Sequence, residues 1–343
     1  MFSRLRLSAL ATLLSCCALV PLHATTVAEG HYAEQQLRYI ATYFPGRMAG
    51  SPAEMLTADY LQQQFLQLGY HSNKRNFITH YQYISQDGRV TPHIVTATSV
   101  VAARAGAMPQ QIIIISHTDT YLPQSDSDRH KNLGGLTLQG ADDNASGIAV
   151  MLELAQRLSK APLHYSLRFV ALSGEELGQR GENDYLSRMT PEEKKNTLLV
   201  IKLDDLVVGN KLYFDSGTNT PEAVSRQTRD RALAIARVNG IPSATRGKEV
   251  RMEPAVDLFD KAGFPLLSIR ATDWELGNKD GQQQRAISPH FPQGTTRHQA
   301  SLDNLPYLDR WLPGRITQRM HDSVKILLPL IDELANPKTL SPK

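Results

Sequence analysis

The stretch QIIIISHTD (residues 111–119) decides the fold class. Four isoleucines in a row have no polar face, as expected of a central strand covered on both sides of a sheet rather than a half-exposed one. Similar runs follow at YSLRFVALS (165–173), TLLVIKLDD (197–205), KLYFDSG (211–217) and FPLLSIRAT (264–272), and one precedes it at IVTATSVVAA (94–103). Between them lie apolar residues at helical spacing: SGIAVMLELAQRLS (146–159), PEEKKNT and its neighbours, and PEAVSRQTRDRALAIARVNG (221–240). Strand–helix alternation of this kind predicts an α/β fold whose sheet is mixed, mostly parallel in the middle and flanked by helices.

Two helices are expected before the first strand, in AEQQLRYIATYF and PAEMLTADYLQQQFLQLGY, the second with Leu56, Tyr60, Leu61, Phe65 and Leu68 facing a core. A further helix is expected from Gln318 to Leu334, kinked at Pro329. Residues 120–140 form a long polar connection, of the length used for rims and lids of sites. No repeat or linker divides the 343 residues, so a single domain is expected after the leader.

That leader is MFSRLRLSALATLLSCCALVPLHATT. Arg4 and Arg6 precede an apolar run that breaks at Pro21, and Ala24 suits the last position before cleavage, so residues 1–24 read as a signal peptide. The run is short for a membrane span. LLSC offers a second reading as a lipidation site at Cys16, but the apolar run continues beyond it to Val20. Both cysteines, Cys16 and Cys17, lie inside the leader, so the exported chain would have no disulfide, no thiolate metal site and no cysteine nucleophile. The formal charge is +3, of which Arg4 and Arg6 contribute two. A near-neutral mature chain without a basic stripe argues against nucleic acid as a partner.

Polar residues gather where the apolar strands end. His117 and Asp119 close one run, Glu175 and Glu176 another, Asp204 and Asp205 a third, and Asp142 and Asp143 stand directly before a helix. In an α/β sheet the carboxyl ends of parallel strands share one edge, where ligands bind. Each group has a plain structural reading: a helix cap in DDNASG, a capping box in Ser173-x-x-Glu176, a strand-end turn in LDD, a satisfied histidine at 117. Together they ask several buried strands to end in acids, which is costly unless cations neutralise them. Imidazole with carboxylates and no thiolate suits zinc or a similar ion, and an excess of carboxylates suits two ions about 3.5–4 Å apart. Asp119, two residues after His117, is placed to fix the ligand tautomer.

The order His-x-Asp, DDNASG, SGEE, LDD resembles that of the co-catalytic two-zinc aminopeptidases of metallopeptidase family 28. The likeness runs from about Ile112 to Asp303, and with one member over much of the mature chain, in stretches such as FPGRM, PAEML, NLGGLTLQG, KKNTLLVI, TRDRALAIAR, FDKAG and LGNKDG. The resemblance implies a zinc-exopeptidase fold, a periplasmic location, peptide or protein N-termini as substrates and two Zn2+ ions per chain. It implies that His117 and Asp204 bind one zinc, that Glu176 and a late histidine bind the other, and that Asp143 bridges them. Glu175 would be the general base and Asp119 the partner of His117. His290 and His298 both lie in SPHFPQGTTRHQASLDN, and the family's His followed by Asp four or five residues on is matched by His298 and Asp303.

The sequence departs from the family in one place: where many relatives carry a Ser-Asp pair before an aromatic residue, MEPAVDLFDKAGFP has Ala255, with Asp257 nearby. The member with the longest likeness implies a preference for basic N-terminal residues, for which Asp273 and Glu275 are candidate wall residues. A glutaminyl cyclase on the same fold, a carboxypeptidase and a non-catalytic binding protein are the alternatives. Retention of both His117 and Asp204 speaks against the first, and retention of all the ligands against the last.

Overall fold

The computed structural model describes residues 27–131, 138–246, 257–272, 288–292, 296 and 300–337. The leader, residues 1–24, lies outside them, as do Ala255, Asp273, Glu275 and His298. In chain order the helices are α1 (His31–Tyr43), α2 (Pro52–Gln67), α3 (Asp126–Lys131), α4 (Gly147–Leu158), α5 (Arg180–Arg188), α6 (Pro191–Asn196), α7 (Glu222–Ser225), α8 (Arg231–Val238), α9 (Leu258–Lys261), α10 (Leu305–Trp311) and α11 (Arg315–Ala335). The strands are β1 (His71–Ile84), β2 (Val90–Arg104), β3 (Met108–His117), β4 (Tyr165–Leu172), β5 (Thr197–Leu203), β6 (Lys211–Ser216), β7 (Ser243–Ala244) and β8 (Leu266–Thr272).

All eight join one sheet in the order β1-β2-β4-β3-β5-β8-β6-β7. The four central strands, β4, β3, β5 and β8, are mutually parallel, while β1, β2 and β6 run antiparallel to their inner neighbours. The expected mixed sheet with a parallel centre is therefore present. Alternation along β5 sorts its side chains between the layers. Leu199, Ile201 and Leu203 join the larger core under α1, α2, α4, α8 and α11, and Val200 joins the smaller core under α5 and α9. Helix α4 is buried nearly all round, from Gly147 to Ala155. Its one acid there, Glu153, accepts hydrogen bonds from the amides of Gly30 and Ala33 at 2.8 Å each, capping α1 from a neighbouring helix.

Three expectations need correction. Strand β1 was not expected, because its residues are mostly polar and exposed on the outer edge of the sheet. Leu56 is 52% exposed: the buried stripe of α2 is Glu54, Thr57, Ala58, Leu61 and Phe65, one step round the helix from it. No helix begins at Ser173. Its hydroxyl donates to the buried carboxylate of Glu54, and α5 starts only at Arg180. The expected C-terminal helix is present, as α11, with Pro329 inside it.

Candidate metal centre

Three neighbouring strands of the parallel centre, β4, β3 and β5, end side by side and carry the chemistry. In the register of the sheet His117 pairs with Leu172, three residues before Glu175, and Ile115 pairs with Lys202, two residues before Asp204. Asp143 enters from the kinked segment Ala141–Ser146 that leads into α4, where Asp143 and Asn144 leave the helical conformation. His117 Nε2 lies 3.0 Å from Asp143 Oδ1 and 3.2 Å from Asp204 Oδ1. Candidate ligand atoms of His117, Asp143 and Glu176 all fall within 4.8 Å of one another, and so do those of Asp143, Asp204 and Asp205. Asp143 belongs to both sets, which is the arrangement of a carboxylate shared by two cations. Both sets are buried except for Glu176, which is partly exposed.

The surrounding chain is bonded so as to hold these groups. His117 Nδ1 is 3.0 Å from the main-chain oxygen of Asp119 and 3.6 Å from its carboxylate. The Asp119 carboxylate accepts instead from the amides of Glu175 (3.2 Å) and Glu176 (3.0 Å), so it caps the turn of the paired glutamates. Its expected contact with the histidine thus falls mainly to its backbone. Asp303 does the same for the other loop, accepting from the amides of Asp142 (2.6 Å) and Asp143 (3.0 Å). Asp142 accepts from Val207 N, Val208 N and the Thr296 hydroxyl, which makes it a structural acid behind the site. Arg47, 1% exposed, donates to the carbonyls of Thr118, Phe44, Gln139 and Gly140, tying the loop after β3 to the loop before Asp143. Arg270 of β8 pairs with the second oxygen of Asp204. α5 comes so close that a Cβ on Gly181 would lie 2.0 Å from the carbonyl oxygen of Ser173.

The electrostatics call for a cation. Burial alone would lower His117, but the carboxylates of Asp119, Asp143 and Asp204 around it outweigh this and hold the imidazole well above its usual range. Burial, then the proximity of Asp143 and Asp204, pushes Asp205 far above the carboxylate range, and its Oδ1 has no hydrogen-bond partner among the described residues. Asp303 is raised by burial and by Asp142 and Asp143. A buried carboxylate cluster with one imidazole, an unpartnered oxygen and no thiolate fits a divalent metal of the zinc type.

The structure therefore brings together His117, Asp119, Asp143, Glu175, Glu176 and Asp204. His298 lies outside the described residues. His290 is engaged elsewhere: it stacks on Trp311 with ring centroids 3.4 Å apart. Asp257 caps α9 through the amides of Phe259 and Asp260 and pairs with Lys202. Arg47, Glu54 and Lys202 went unread in the sequence, although a lysine inside the apolar strand TLLVIKL was a visible signal. A small pocket lined by Tyr121, Asp143, Thr296, Asp303 and neighbours opens beside the cluster. A larger surface cavity, lined by Arg157, Arg231 and Glu333, lies away from all these groups.

Fold and site together define a metal-dependent hydrolase of the zinc-aminopeptidase type, and comparisons agree. Residues 99–324 match the model of peptidase family M28. The chain is 54% identical over 342 residues to the alkaline phosphatase isozyme conversion protein of Escherichia coli (strain K12), covering 98% of this chain and 99% of that one. Among solved structures it resembles an aminopeptidase from Aneurinibacillus sp. strain AM-1 (TM-score 0.65, 16% identity, 92% of this chain and 97% of that one). It also resembles BSAP, a zinc aminopeptidase from Bacillus subtilis (0.66, 13%, 91% and 97%). The fold is shared too with the glutaminyl cyclase of Porphyromonas gingivalis (0.60, 17%, 90% and 99%). The chain belongs to peptidase family M28, and it is a metallo-aminopeptidase.

Proposed function

We propose that this chain is exported through cleavage of residues 1–24 and acts in the periplasm, removing single residues from the N-termini of peptides or proteins. The observation that carries the reading is the meeting of His117, Asp143, Glu176 and Asp204 around a shared carboxylate, with the amide of the adjacent Glu175 bonded to Asp119. His117 and Asp204 would hold one zinc, Glu176 and His298 a second, and Asp143 both. When bound, the ions supply an acidified attacking water and polarise the scissile carbonyl. Glu175 takes the proton of that water and passes it to the leaving amine. Asp119 fixes the backbone from which Glu175 and Glu176 project.

The E. coli relative's name suggests a protein substrate such as alkaline phosphatase, and we propose the preference for N-terminal Arg or Lys that the sequence resemblance implies. Hydrolysis of arginyl, lysyl and leucyl anilides, with and without chelator, tests the reading. Chelator-sensitive turnover with the basic substrates fastest is expected. A faster leucyl substrate would remove the basic preference, and chelator-insensitive turnover would remove the metal mechanism.

The shared fold with a glutaminyl cyclase favours one competing reading. A single tightly bound zinc together with pyroglutamate formation would establish it instead.

A further inference from the structure

Strand β5 places a lysine in the middle of a buried apolar run. Lys202 is 6% exposed and lies on the face of Val200, beneath α5 and α9. Its Nζ is 3.3 Å from Glu175 Oε1, 2.5 Å from Glu182 Oε1 and 3.4 Å from Asp257 Oδ2. The three carboxylates come from separate parts of the chain: the turn after β4, the first turn of α5 and the residue capping α9. One ammonium thus gathers three acids, more than its own charge needs. Burial pushes Glu182 up to about 8, and its Oε2 has no hydrogen-bond partner among the described residues.

A buried ion cluster is a poor way to stabilise a core, since apolar side chains of similar volume usually do as well or better. Its value must then lie in what it holds. Of the three acids, Glu175 is the one adjacent to a candidate ligand, Glu176, and its amide is bonded to Asp119. We propose that Lys202 is a positioning residue for the general base: its ammonium grips one oxygen of Glu175 and fixes the orientation in which that carboxylate meets the attacking water. The inference rests on the assignment of Glu175 as the base. It also makes α5 and the cap of α9, through Glu182 and Asp257, part of the frame that sets the base.

The competing explanation is that Lys202 only neutralises Glu182 and Asp257. Two zinc-loaded full-length variants separate these, Lys202→Met and Lys202→Met/Glu182→Met, the second relieving the acid that the first strands. Both are compared with wild type for melting temperature, zinc per chain, kcat and KM on the anilide the wild type turns over fastest. Positioning predicts that the double variant melts and binds zinc like the wild type, with KM little changed, yet has kcat lower by about ten- to a hundredfold. In a Glu175→Gln background Lys202→Met should then change kcat less than about twofold, because the two residues act through one group. A folded, zinc-loaded double variant with wild-type kcat would overturn the proposal. So would an equal loss from Lys202→Met with and without Glu175. If Glu175→Gln alone keeps wild-type kcat, the base assignment fails instead, a result distinct from either.

Discussion

Glu175 and Glu176 are neighbours in sequence but sit in different surroundings. Glu176 shares a cluster with His117 and Asp143, whereas Glu175 contacts Lys202. Exchanging each for glutamine should therefore have different effects. Glu175→Gln should lower kcat by about 10²- to 10⁴-fold, the usual worth of a general base, with calorimetric zinc binding unchanged. Glu176→Gln should weaken zinc binding first. Glu54, buried and bonded to Ser173, Thr98 N and Gly50 N, gives a pH signature. Burial pushes its carboxyl up to about 7 from an ordinary 4.5, against the lowering effect of those bonds. The folded state thus holds this proton to higher pH than the unfolded chain. The cost of ionising it is absent below about 4.5 and complete above about 7, so stability falls as pH rises through that window. At about 1.4 kcal/mol per pH unit the penalty is roughly 3 kcal/mol. Denaturation of wild type and Glu54→Gln at several pH values should show a loss of stability between about pH 4.5 and 7 that is smaller by that amount in the variant; parallel curves would refute it.

The strand ends were legible in the sequence because a long apolar run closed by His, Asp or Glu is a local signal, and β3, β4 and β5 all carry it. What the sequence did not convey is which acids serve structure. Asp142 and Asp143 are adjacent, yet one is bonded to Val207 N and Thr296 while the other faces His117. SGEE read locally as a capping box, but its amides are capped by Asp119, just beyond the end of the neighbouring strand β3. Strand β1 was missed because an exposed edge strand has little apolar alternation, and Arg47 because its four carbonyl partners are brought together only by folding. Burial lowers the Arg47 guanidinium to about 10 but leaves it charged at neutral pH. Arg47→Met would strand those carbonyls and free the two loops. It should cost at least about 3 kcal/mol in denaturant unfolding and weaken zinc binding. A variant with wild-type stability and zinc affinity would show that the loops hold themselves.

Across the whole chain, one sheet carries both cores and ends its central strands at one edge. The cluster of acids at that edge is held by buried bonds but strained by its own charge, so metal should stabilise the entire fold. Zinc at a hundred times its dissociation constant is worth about 2.7 kcal/mol per site, and should raise the melting temperature, with chelator reversing the gain. An unchanged melting temperature would mean that these carboxylates are not a metal site. No helix of the described residues is long and apolar enough to cross a membrane. The proposed export turns on residues 1–24, and if it holds, N-terminal sequencing of the mature protein should begin after Ala24. The central claim is settled most directly by mass spectrometry of an unblocked peptide incubated with the zinc-loaded protein. Stepwise loss of residues from the N-terminus, stopped by acetylating the substrate or by chelator, is the predicted result. Loss of ammonia from an N-terminal glutamine without cleavage, or loss of residues from the C-terminus, would contradict it.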